Sequence, residues 1–495
     1  MNALAGLRAC TTSVLLLSLV ACHPALPARP AAPAPPTLPA LIHDLDALLA
    51  APALEHGYWG VLVKSLENGE TLYSLNPRRL MMPASNMKIV TLAAAADRLG
   101  WDYTYETRIF AAGRIDNGVL QGDLLAVGSG DPSIGESPDT LGTWAEQLKA
   151  RGIRVIAGRV IGDDSAFDDD GLGFGWSWDD LQDDYAAGVS ALQFNENAVR
   201  ITVGPGTSVG DWAGVAISPA DSGLVVESAL TTSAAGAAPH IEAHRLPGSA
   251  RLHLRGTVPL GAAPATQLVS VDHPTQFFVN ALRTALIAHG IDVRGPSVDI
   301  DDIRDAPARP DGAPLISHRS PPLSTLAIRL MKVSQNLYAE TFLKTLAAGP
   351  ATATTAAGRS IAQAALQAWG IGPDGLIQRD GSGLSRYDYV SPDAIVTILA
   401  HVDGQTSLKG PFRETLPIAG RDGSLSNRMK GTAAEGNARA KTGSMANVRG
   451  LSGYVATADG EPLVFSILAN NFETAPDTIT KTADAIVVRL AEFKR

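Results

Sequence analysis

A serine and a lysine three positions apart, Ser85 and Lys88, could form a nucleophile and its base. They stand at the start of an apolar-periodic stretch, 87–99, and on a helix their side chains would share one face. A serine hydroxyl is a poor nucleophile until a base removes its proton, and a lysine can be that base only when burial or nearby cations lower its pKa. The pair therefore predicts a serine nucleophile with a lysine base, and it requires a second cation close by.

The segment K-T-G-S that begins at Lys441 is the candidate source of that cation. Its setting is typical of a strand at a sheet edge, where Gly443 would let a substrate backbone approach closely. Lys441 would supply the positive charge. The hydroxyl groups of Thr442 and Ser444 could then bind a substrate carboxylate.

The string Ser334-Gln335-Asn336 adds a further hydroxyl and an amide. Taken singly, such residues have ordinary explanations, because a serine at a helix start caps backbone amides and a lone lysine is usually solvated. The strings S-x-x-K and K-T-G each occur once in the chain, and S-x-N lies between them. The ordered set of three favours the catalytic interpretation.

These three strings resemble the motif set of penicillin-binding proteins and class A β-lactamases. Within that superfamily the chain is similar to the class C low-molecular-weight penicillin-binding proteins, the penicillin-binding protein 4 type of D-alanyl-D-alanine carboxypeptidase/endopeptidase in the S13 serine peptidase family. The resemblance extends from about residue 41 to the end, and Gln335 stands where the motif has aspartate. The further segments that carry the resemblance are 124–133, 277–295, 380–392 and 422–445.

The long distance between the first two strings predicts an inserted domain. Roughly 250 residues separate Ser85 from Ser334, far more than one connection inside a compact domain takes. Strand-like runs separated by Gly and Pro fill this gap, at 103–109, 124–127, 154–161, 198–203 and 252–258. The resemblance implies an α/β (α+β) serine DD-peptidase/β-lactamase-like domain, split in sequence by a large, mostly β insert of one or two subdomains. The expected segments are 1–21 signal peptide, 22–40 tether, 41–100 first part of the peptidase domain, 101–318 insert and 319–495 second part.

The resemblance also implies roles for the residues. The catalytic residues would be Ser85, Lys88, Ser334, Asn336 and Lys441, and the substrate-binding residues would be Thr442, Gly443, Ser444, Asp163 and Phe167. In such enzymes lysine deprotonates the nucleophilic serine, the second serine passes a proton to the leaving amine, and the amide of the asparagine orients lysine and substrate. Backbone N–H groups of Ser85 and Ser444 would form the oxyanion hole.

Asp163 and Phe167 lie in an acidic cluster at 163–184. Such a cluster is often a solvated loop. In penicillin-binding protein 4-like enzymes, however, an aspartate after a G-x-V-x-x-D string approaches the cleft, and residues 158–163 match that string. Asp163 could then receive a cationic group of the peptide stem, with Phe167 packing on its methylenes.

The N-terminus has the features of a bacterial targeting segment. An apolar core at 14–20 is too short to span a bilayer, and the string L-V-A-C ending at Cys22 resembles a lipobox. We expect cleavage before Cys22 and lipidation of that residue. The next residue is His23 and not aspartate, which by resemblance to other lipoproteins implies anchoring to the outer membrane on its periplasmic side. An ordinary secretory signal, which would give a soluble periplasmic protein, is the alternative. Both cysteines, Cys10 and Cys22, lie in this segment, so we expect no disulfide in the mature chain.

The composition of the chain limits the kinds of molecule that it could bind. The 50 acidic residues outnumber the 40 basic ones, which gives a formal charge of −10 and argues against nucleic acid. His240 and His244 match neither zinc-helix order, and the sequence calls for no metal and no cofactor. The expected partners are peptidoglycan stem peptides, β-lactam antibiotics as covalent inhibitors, and a membrane through the lipid anchor only.

The prediction is a serine-type D-alanyl-D-alanine carboxypeptidase/endopeptidase that works through an acyl-enzyme and is covalently inhibited by penicillin. A β-lactam hydrolase is one alternative, although the large insert and the lack of an evident second base for deacylation weigh against it. A non-catalytic wall-binding scaffold is the other, although a scaffold needs neither Ser85 nor Lys88.

Overall fold

A computed structural model describes residues 37–137, 139–349 and 351–495 of the chain. The predicted signal segment, the tether up to residue 36 and Cys22 lie outside the described residues. Within the described part, no helix has the length and apolar character needed to cross a membrane.

The helices are α1 Leu38–Leu49, α2 Met87–Leu99, α3 Thr140–Ala150, α4 Pro274–Ala288, α5 Leu323–Lys332, α6 Asn336–Thr345, α7 Thr355–Ala368, α8 Pro392–Gly404, α9 Thr406–Thr415 and α10 Pro476–Glu492. The strands are β1 Tyr58–Ser65, β2 Thr71–Leu75, β3 Glu106–Asp116, β4 Val119–Val127, β5 Val155–Ile156, β6 Val160–Asp163, β7 Ala198–Gly204, β8 Gly214–Ser218, β9 Val225–Ser233, β10 His240–Arg245, β11 Arg251–Pro259, β12 Ala265–Ser270, β13 Asp292–Val293, β14 Ser297–Asp299, β15 Ile316–Arg319, β16 Leu376–Ile377, β17 Tyr389–Val390, β18 Arg439–Met445, β19 Val448–Ala456 and β20 Pro462–Asn470.

A five-stranded antiparallel sheet joins the two ends of the described chain. Its order is β18-β19-β20-β1-β2, so strands from before and after the long interruption lie side by side. Helices α1 and α10 pack on one face, and α2 and α8 pack with further helices on the other. Because both faces are covered, strands such as β20 are apolar along most of their length instead of alternating.

Helix α2 runs through the centre of the helical layer. Its residues from Met87 to Ala96 are all buried, and four consecutive alanines, 93–96, let neighbouring helices approach closely. A helix enclosed on all sides needs apolar or small residues around its whole circumference. Lys88 is the exception in this helix, since a long cationic side chain is fully buried there.

The interruption forms two mostly β units. A mixed sheet in the order β13-β5-β4-β3-β15, with β6 and β14 beside it, packs against α3 and α4. Two three-stranded sheets, β12-β7-β8 and β10-β11-β9, share a second core. The run predicted at 154–161 is two short strands, β5 and β6, separated by a bend at Gly158. A Cβ at this position would lie 2.5 Å from the Gly122 carbonyl oxygen, so the bend leaves no room for a side chain. The predicted fold class, an α/β fold interrupted by a mostly β insert, is confirmed.

Candidate active site

Ser85 lies in a tight turn directly before α2. The turn is a single 3-10 segment, Ala84–Asn86, and it packs beneath strand β18. A Cβ on Gly443 would come within 2.6 Å of the Pro83 carbonyl oxygen and 2.7 Å of the Asn86 amide nitrogen. Glycine is therefore required at 443 so that the strand can lie on the serine turn. The close approach that requires glycine is to the chain's own turn, and a contact of Gly443 with a substrate backbone stays a prediction.

The ammonium group of Lys88 meets the Ser85 hydroxyl, as the spacing predicted. Lys88 Nζ lies 2.9 Å from Ser85 Oγ, 2.5 Å from Asn336 Oδ1 and 3.0 Å from the Ser382 carbonyl oxygen. Asn86, not Ser85, is the N-cap residue of α2. The alternative explanation of Ser85 as a helix cap therefore has no support in the geometry.

A second buried lysine contacts Ser334, which lines the same cleft as Ser85. Lys441 Nζ donates to Ser334 Oγ over 2.9 Å and to the Thr442 carbonyl oxygen over 2.8 Å, and the residue is fully buried. Ser334 has a φ of 66°, a left-handed conformation that is unusual for a residue with a side chain. Such strain persists where the surroundings over-determine it, as at functional sites.

Burial prepares both lysines for proton transfer. It lowers the pKa of Lys88 to about 7, against the opposing negative charges of Asp380 and Glu340. Burial and then the positive charge of Lys88 lower the pKa of Lys441 well below its ordinary value. The expected second cation is therefore present, but burial is the cause of the lowered pKa of Lys88.

Asn336 and Gln335 connect this centre to the insert. The Asn336 amide nitrogen donates to the Tyr185 carbonyl oxygen over 2.7 Å. The Gln335 side chain caps α6 by accepting from the Leu337 N–H, and its own nitrogen donates to Glu196 over 2.8 Å. The glutamine that departs from the motif is thus used as a helix cap and as a contact to the insert.

A cleft of about 510 Å³ opens over the serine. Its walls include Ser85, Ser334, Asn336, Thr442 and Ser444. The structure therefore brings the predicted hydroxyl and amide groups to one cavity, with Lys88 and Lys441 beneath them. The Thr442 hydroxyl is also 2.7 Å from the hydroxyl of Ser424.

Two charged residues of the cleft were missed in the sequence. Asp180 and Arg386 both line it, one from the insert and one from the segment that follows α7. Each stood in a segment already singled out, the acidic cluster 163–184 and the segment 380–392. The cleft thus offers both an anionic and a cationic group to a substrate.

Asp163 and Phe167 are not among the described residues that line the cleft. Asp163 is buried, and its carboxylate pairs with Arg309 at 2.7 Å and accepts from the Ser165 hydroxyl at 2.7 Å. Phe167 is 3% exposed, with the ammonium of Lys344 5.8 Å from its ring centre. A guanidinium already occupies the carboxylate that was expected to receive the substrate's cation. The carboxylate of the acidic cluster that does reach the cleft is that of Asp180.

Comparison with known proteins gives one consistent family. The family described as D-Ala-D-Ala carboxypeptidase 3 (S13) matches residues 41–493. D-alanyl-D-alanine carboxypeptidase of Actinomadura sp. (strain R39) is 37% identical over 469 residues, which cover 92% of this chain and 85% of the relative. D-alanyl-D-alanine carboxypeptidase DacB of Haemophilus influenzae is 27% identical over 436 residues, which cover 87% and 88%.

Solved structures agree with the sequence comparisons. The crystal structure of penicillin binding protein 4 (dacB) from Haemophilus influenzae matches with a TM-score of 0.80 at 26% identity and covers 91% of this chain and 99% of its own. The same protein complexed with a novel β-lactam matches with a TM-score of 0.75 at 24% identity, over the same shares of the two chains. The similarity therefore spans the split domain and the insert together.

Proposed function

Because the chain belongs to the D-Ala-D-Ala carboxypeptidase 3 (S13) family, we propose that Ser85 is the nucleophile with which it cleaves D-alanyl-D-alanine bonds. The enzyme is a hydrolase, a penicillin-sensitive serine peptidase that acts on peptidoglycan. The observation that carries the assignment of Ser85 is the 2.9 Å contact between its hydroxyl oxygen and Lys88 Nζ.

In the acylation step Lys88 acts as the general base. A base is most effective when its pKa lies near the working pH, and burial lowers the pKa of Lys88 to about 7. Unprotonated Nζ takes the proton of Ser85 as Oγ attacks the carbonyl carbon between the two D-alanines. Asn336 accepts a hydrogen bond from Nζ and so keeps the amine beside the hydroxyl.

The leaving amine receives its proton from Ser334. The hydroxyl of Ser334 accepts a hydrogen bond from Lys441. Ser334 can therefore give its proton to the leaving amine and take another from protonated Lys441. The terminal D-alanine departs, Ser85 carries the acyl group, and water then hydrolyses the ester. Lys441 also gives the cleft floor a positive potential when it is protonated.

The substrate is held at its charged and polar ends. The N–H groups of Ser85 and Ser444 form the oxyanion hole, a contribution that costs roughly 100-fold or more in rate when one donor is lost. The hydroxyls of Thr442 and Ser444 bind the terminal carboxylate. Asp180 and Arg386, which also line the cleft, bind charged groups of the stem peptide, Asp180 the free amine of its diamino acid.

Cys22 carries the lipid that anchors the enzyme to the outer membrane, and the Pro- and Ala-rich segment from residue 23 up to the start of α1 at Leu38 is the tether, which is shorter than the predicted 22–40. The motif L-V-A-C supports this part of the proposal. Replacing Cys22→Ser should give an unprocessed or mislocalised protein in cell fractionation. Normal maturation to a soluble periplasmic form would favour an ordinary secretory signal.

Incubation with a labelled penicillin tests the catalytic proposal. A long-lived covalent adduct is expected, and Ser85→Ala should abolish it while the protein stays folded. Rapid turnover of the penicillin would point to a β-lactam hydrolase, and absence of an adduct would point to a scaffold. An adduct in folded Ser85→Ala protein would place the nucleophile elsewhere.

A further inference from the structure

We propose that Glu340 is a positioning residue of the reaction, which fixes the backbone carbonyl to which Lys88 donates. The inference rests on the proposed function, in that Lys88 is taken as the base. Glu340 is 4% exposed, lies on α6 and does not contact Ser85 or Lys88 directly in the described hydrogen-bond network. Its role follows from a chain of three contacts.

The first two contacts join Glu340 to a turn. Oε2 of Glu340 accepts from the Gly381 N–H and Oε1 accepts from the Ser382 N–H, each over 2.8 Å. The third contact continues from the turn, because the Ser382 carbonyl oxygen accepts from Lys88 Nζ over 3.0 Å. One carboxylate thus binds both N–H groups of the turn whose carbonyl orients the base.

The turn is held between the two helices that carry the base and its amide partner. A Cβ on Gly381 would come within 2.5 Å of the Ala339 carbonyl oxygen, so the turn lies directly on α6. From the other side, the Thr91 hydroxyl of α2 donates to the Gly381 carbonyl oxygen over 2.7 Å. Glu340 is one helical turn beyond Asn336, which puts both residues on one face of α6. That face therefore contacts Lys88 twice, directly through Asn336 and through the turn held by Glu340.

Charge gives Glu340 a second effect on the base. Both of its oxygens accept backbone N–H bonds, which is the arrangement of an ionised carboxylate. Burial and then the negative charge of Asp380 raise the pKa of Glu340, while Glu340 and Asp380 together oppose the lowering of the Lys88 pKa by burial. The other buried charged groups facing this network are Asp388, beside Asp380, and Lys441, beyond Ser334.

The two effects predict a distinctive result for Glu340→Gln. The amide places an NH₂ group against one of the two backbone N–H donors, so one hydrogen bond is lost and the turn loosens. We expect the plateau rate constant for acylation by penicillin at high pH to fall about 10-fold. Because a negative charge near Lys88 is removed, the inflection on the acid side should also move to lower pH.

Asp388→Asn is the matched control. Asp388 is another buried carboxyl of the same segment, and its Oδ1 accepts from the Arg379 N–H over 2.5 Å, away from Gly381 and Ser382. Asparagine keeps the oxygen that accepts from the Arg379 N–H, and Asp388 is not among the charges that raise the pKa of Lys88. This variant should keep the plateau within about 2-fold and leave the inflection in place.

The measurement is the second-order rate constant of labelling by a fluorescent penicillin between pH 5 and 9, with thermal unfolding recorded for each protein. An unchanged plateau and inflection in Glu340→Gln would overturn the proposal. A lower plateau with an unmoved inflection would also overturn it, because this variant removes a charge and a purely structural role would leave the inflection in place. If Glu340→Gln does not fold, Thr91→Val releases the same turn without a charge change. It should lower the plateau about 3-fold at an unmoved inflection, and an unaltered plateau would overturn the proposal. Failure of the proposed function would show separately, as absence of an adduct in the unsubstituted protein.

Discussion

The active-centre cluster and the insertion-side cluster each hold charged side chains away from water, but all four members of the first are buried, whereas in the second only Lys344 is buried and its three aspartates are half-buried. The active-centre cluster consists of Lys88, Lys441, Glu340 and Asp380, and the insertion-side cluster consists of Lys344, Asp168, Asp164 and Asp299. In the active-centre cluster each lysine donates to a serine hydroxyl. In the insertion-side cluster Lys344 pairs instead with the carboxylate and carbonyl oxygen of Asp168.

A shifted pKa does not distinguish the two clusters. Burial lowers the pKa of Lys88 to about 7, and burial followed by the charge of Asp164 raises the pKa of Asp299 to about 7. Both shifts report the cost of a charge away from water. Only at Lys88 is the neutral form a base beside a hydroxyl that can attack. The contact with a nucleophile therefore identifies a catalytic group, and the shifted pKa supports that assignment.

The distinction between the two clusters would be wrong if removing Lys88 and removing Lys344 had the same effect on acylation. Lys88→Met removes the base, and we expect penicillin acylation to fall about 1,000-fold. Stability should change little, because the methionine fills the site without a charge to desolvate. Acylation rates at pH 8 and the free energy of unfolding measure the two effects.

Lys344→Met is the matched variant, since both lysines are almost completely buried. It breaks the pair with Asp168, so we expect a loss of about 2 kcal/mol in the free energy of unfolding and acylation within a few-fold of normal. If the folded Lys344 variant lost as much acylation as the Lys88 variant, buried charge in general, and not contact with Ser85, would determine the rate.

The pH dependence of acylation sharpens the same comparison. Only the unprotonated amine is a base, so the rate should be at its plateau above pH 7 and fall as pH drops through the Lys88 pKa of about 7. At pH 5 it should be about 100-fold below the plateau, one factor of ten for each pH unit. A rate that is flat from pH 5 to 8 in folded protein would exclude Lys88 as the base.

Whether a contact of the site can be predicted from the sequence depends on how many positions separate the two residues along the chain. Ser85 and Lys88 are joined by a single helical turn, so their contact follows from spacing and a correctly predicted helix, 87–99. Glu340 meets Gly381 across 41 positions, and no local pattern connects the two segments. The fold class was implied by the family resemblance, and the length of the gap predicted that a domain is inserted. The path of the chain through the insert was not predicted, because it depends on contacts between distant segments.

The acidic cluster 163–184 shows the same limit. The family resemblance implied that this segment supplies a carboxylate to the cleft, and Asp180 of the segment lines the cleft. The prediction that Asp163 supplies this carboxylate did not account for Arg309, which lies 146 positions away in the sequence and forms an ion pair with Asp163. Pairing with a distant arginine is a tertiary event that composition does not reveal.

The roles of Asp180 and Asp163 can therefore be distinguished by the effect of each substitution on different substrates. We expect Asp180→Ala to lower kcat/KM about 10-fold for a stem peptide with a free side-chain amine, since a partly shielded ion pair is lost. The acetylated peptide and penicillin should be nearly unaffected. Asp163→Ala should affect all three alike, through stability. Selective loss of the amine-bearing peptide in Asp163→Ala would restore Asp163 as the substrate's partner.

The smallest effect expected lies in the insertion-side cluster itself. Burial and then the charge of Asp164 raise the pKa of Asp299 from 3.8 to about 7. Between these values the folded protein binds a proton that the unfolded chain has released, so stability falls as pH rises from about 4 to 7 and stays low above it. Asp299→Asn should escape this loss while keeping the cap that Asp299 provides to the Asp301 N–H. Since the group is partly exposed and solvent screens it, we expect Tm to rise by only about 2 °C at pH 8 and to stay unchanged at pH 4.

Asp302→Asn is the control for this last variant, because Asp302 is exposed on the adjoining 3-10 turn. Its charge is the smallest of the causes that raise the Asp299 pKa, so it should raise Tm at pH 8 by less than Asp299→Asn does, and neither variant should change penicillin acylation. Equal gains at pH 4 and pH 8 for Asp299→Asn would mean that the asparagine improves packing and that Asp299 does not titrate in this window. A change in acylation would mean that the insertion-side cluster communicates with Lys88, which the separate contacts of the two clusters argue against.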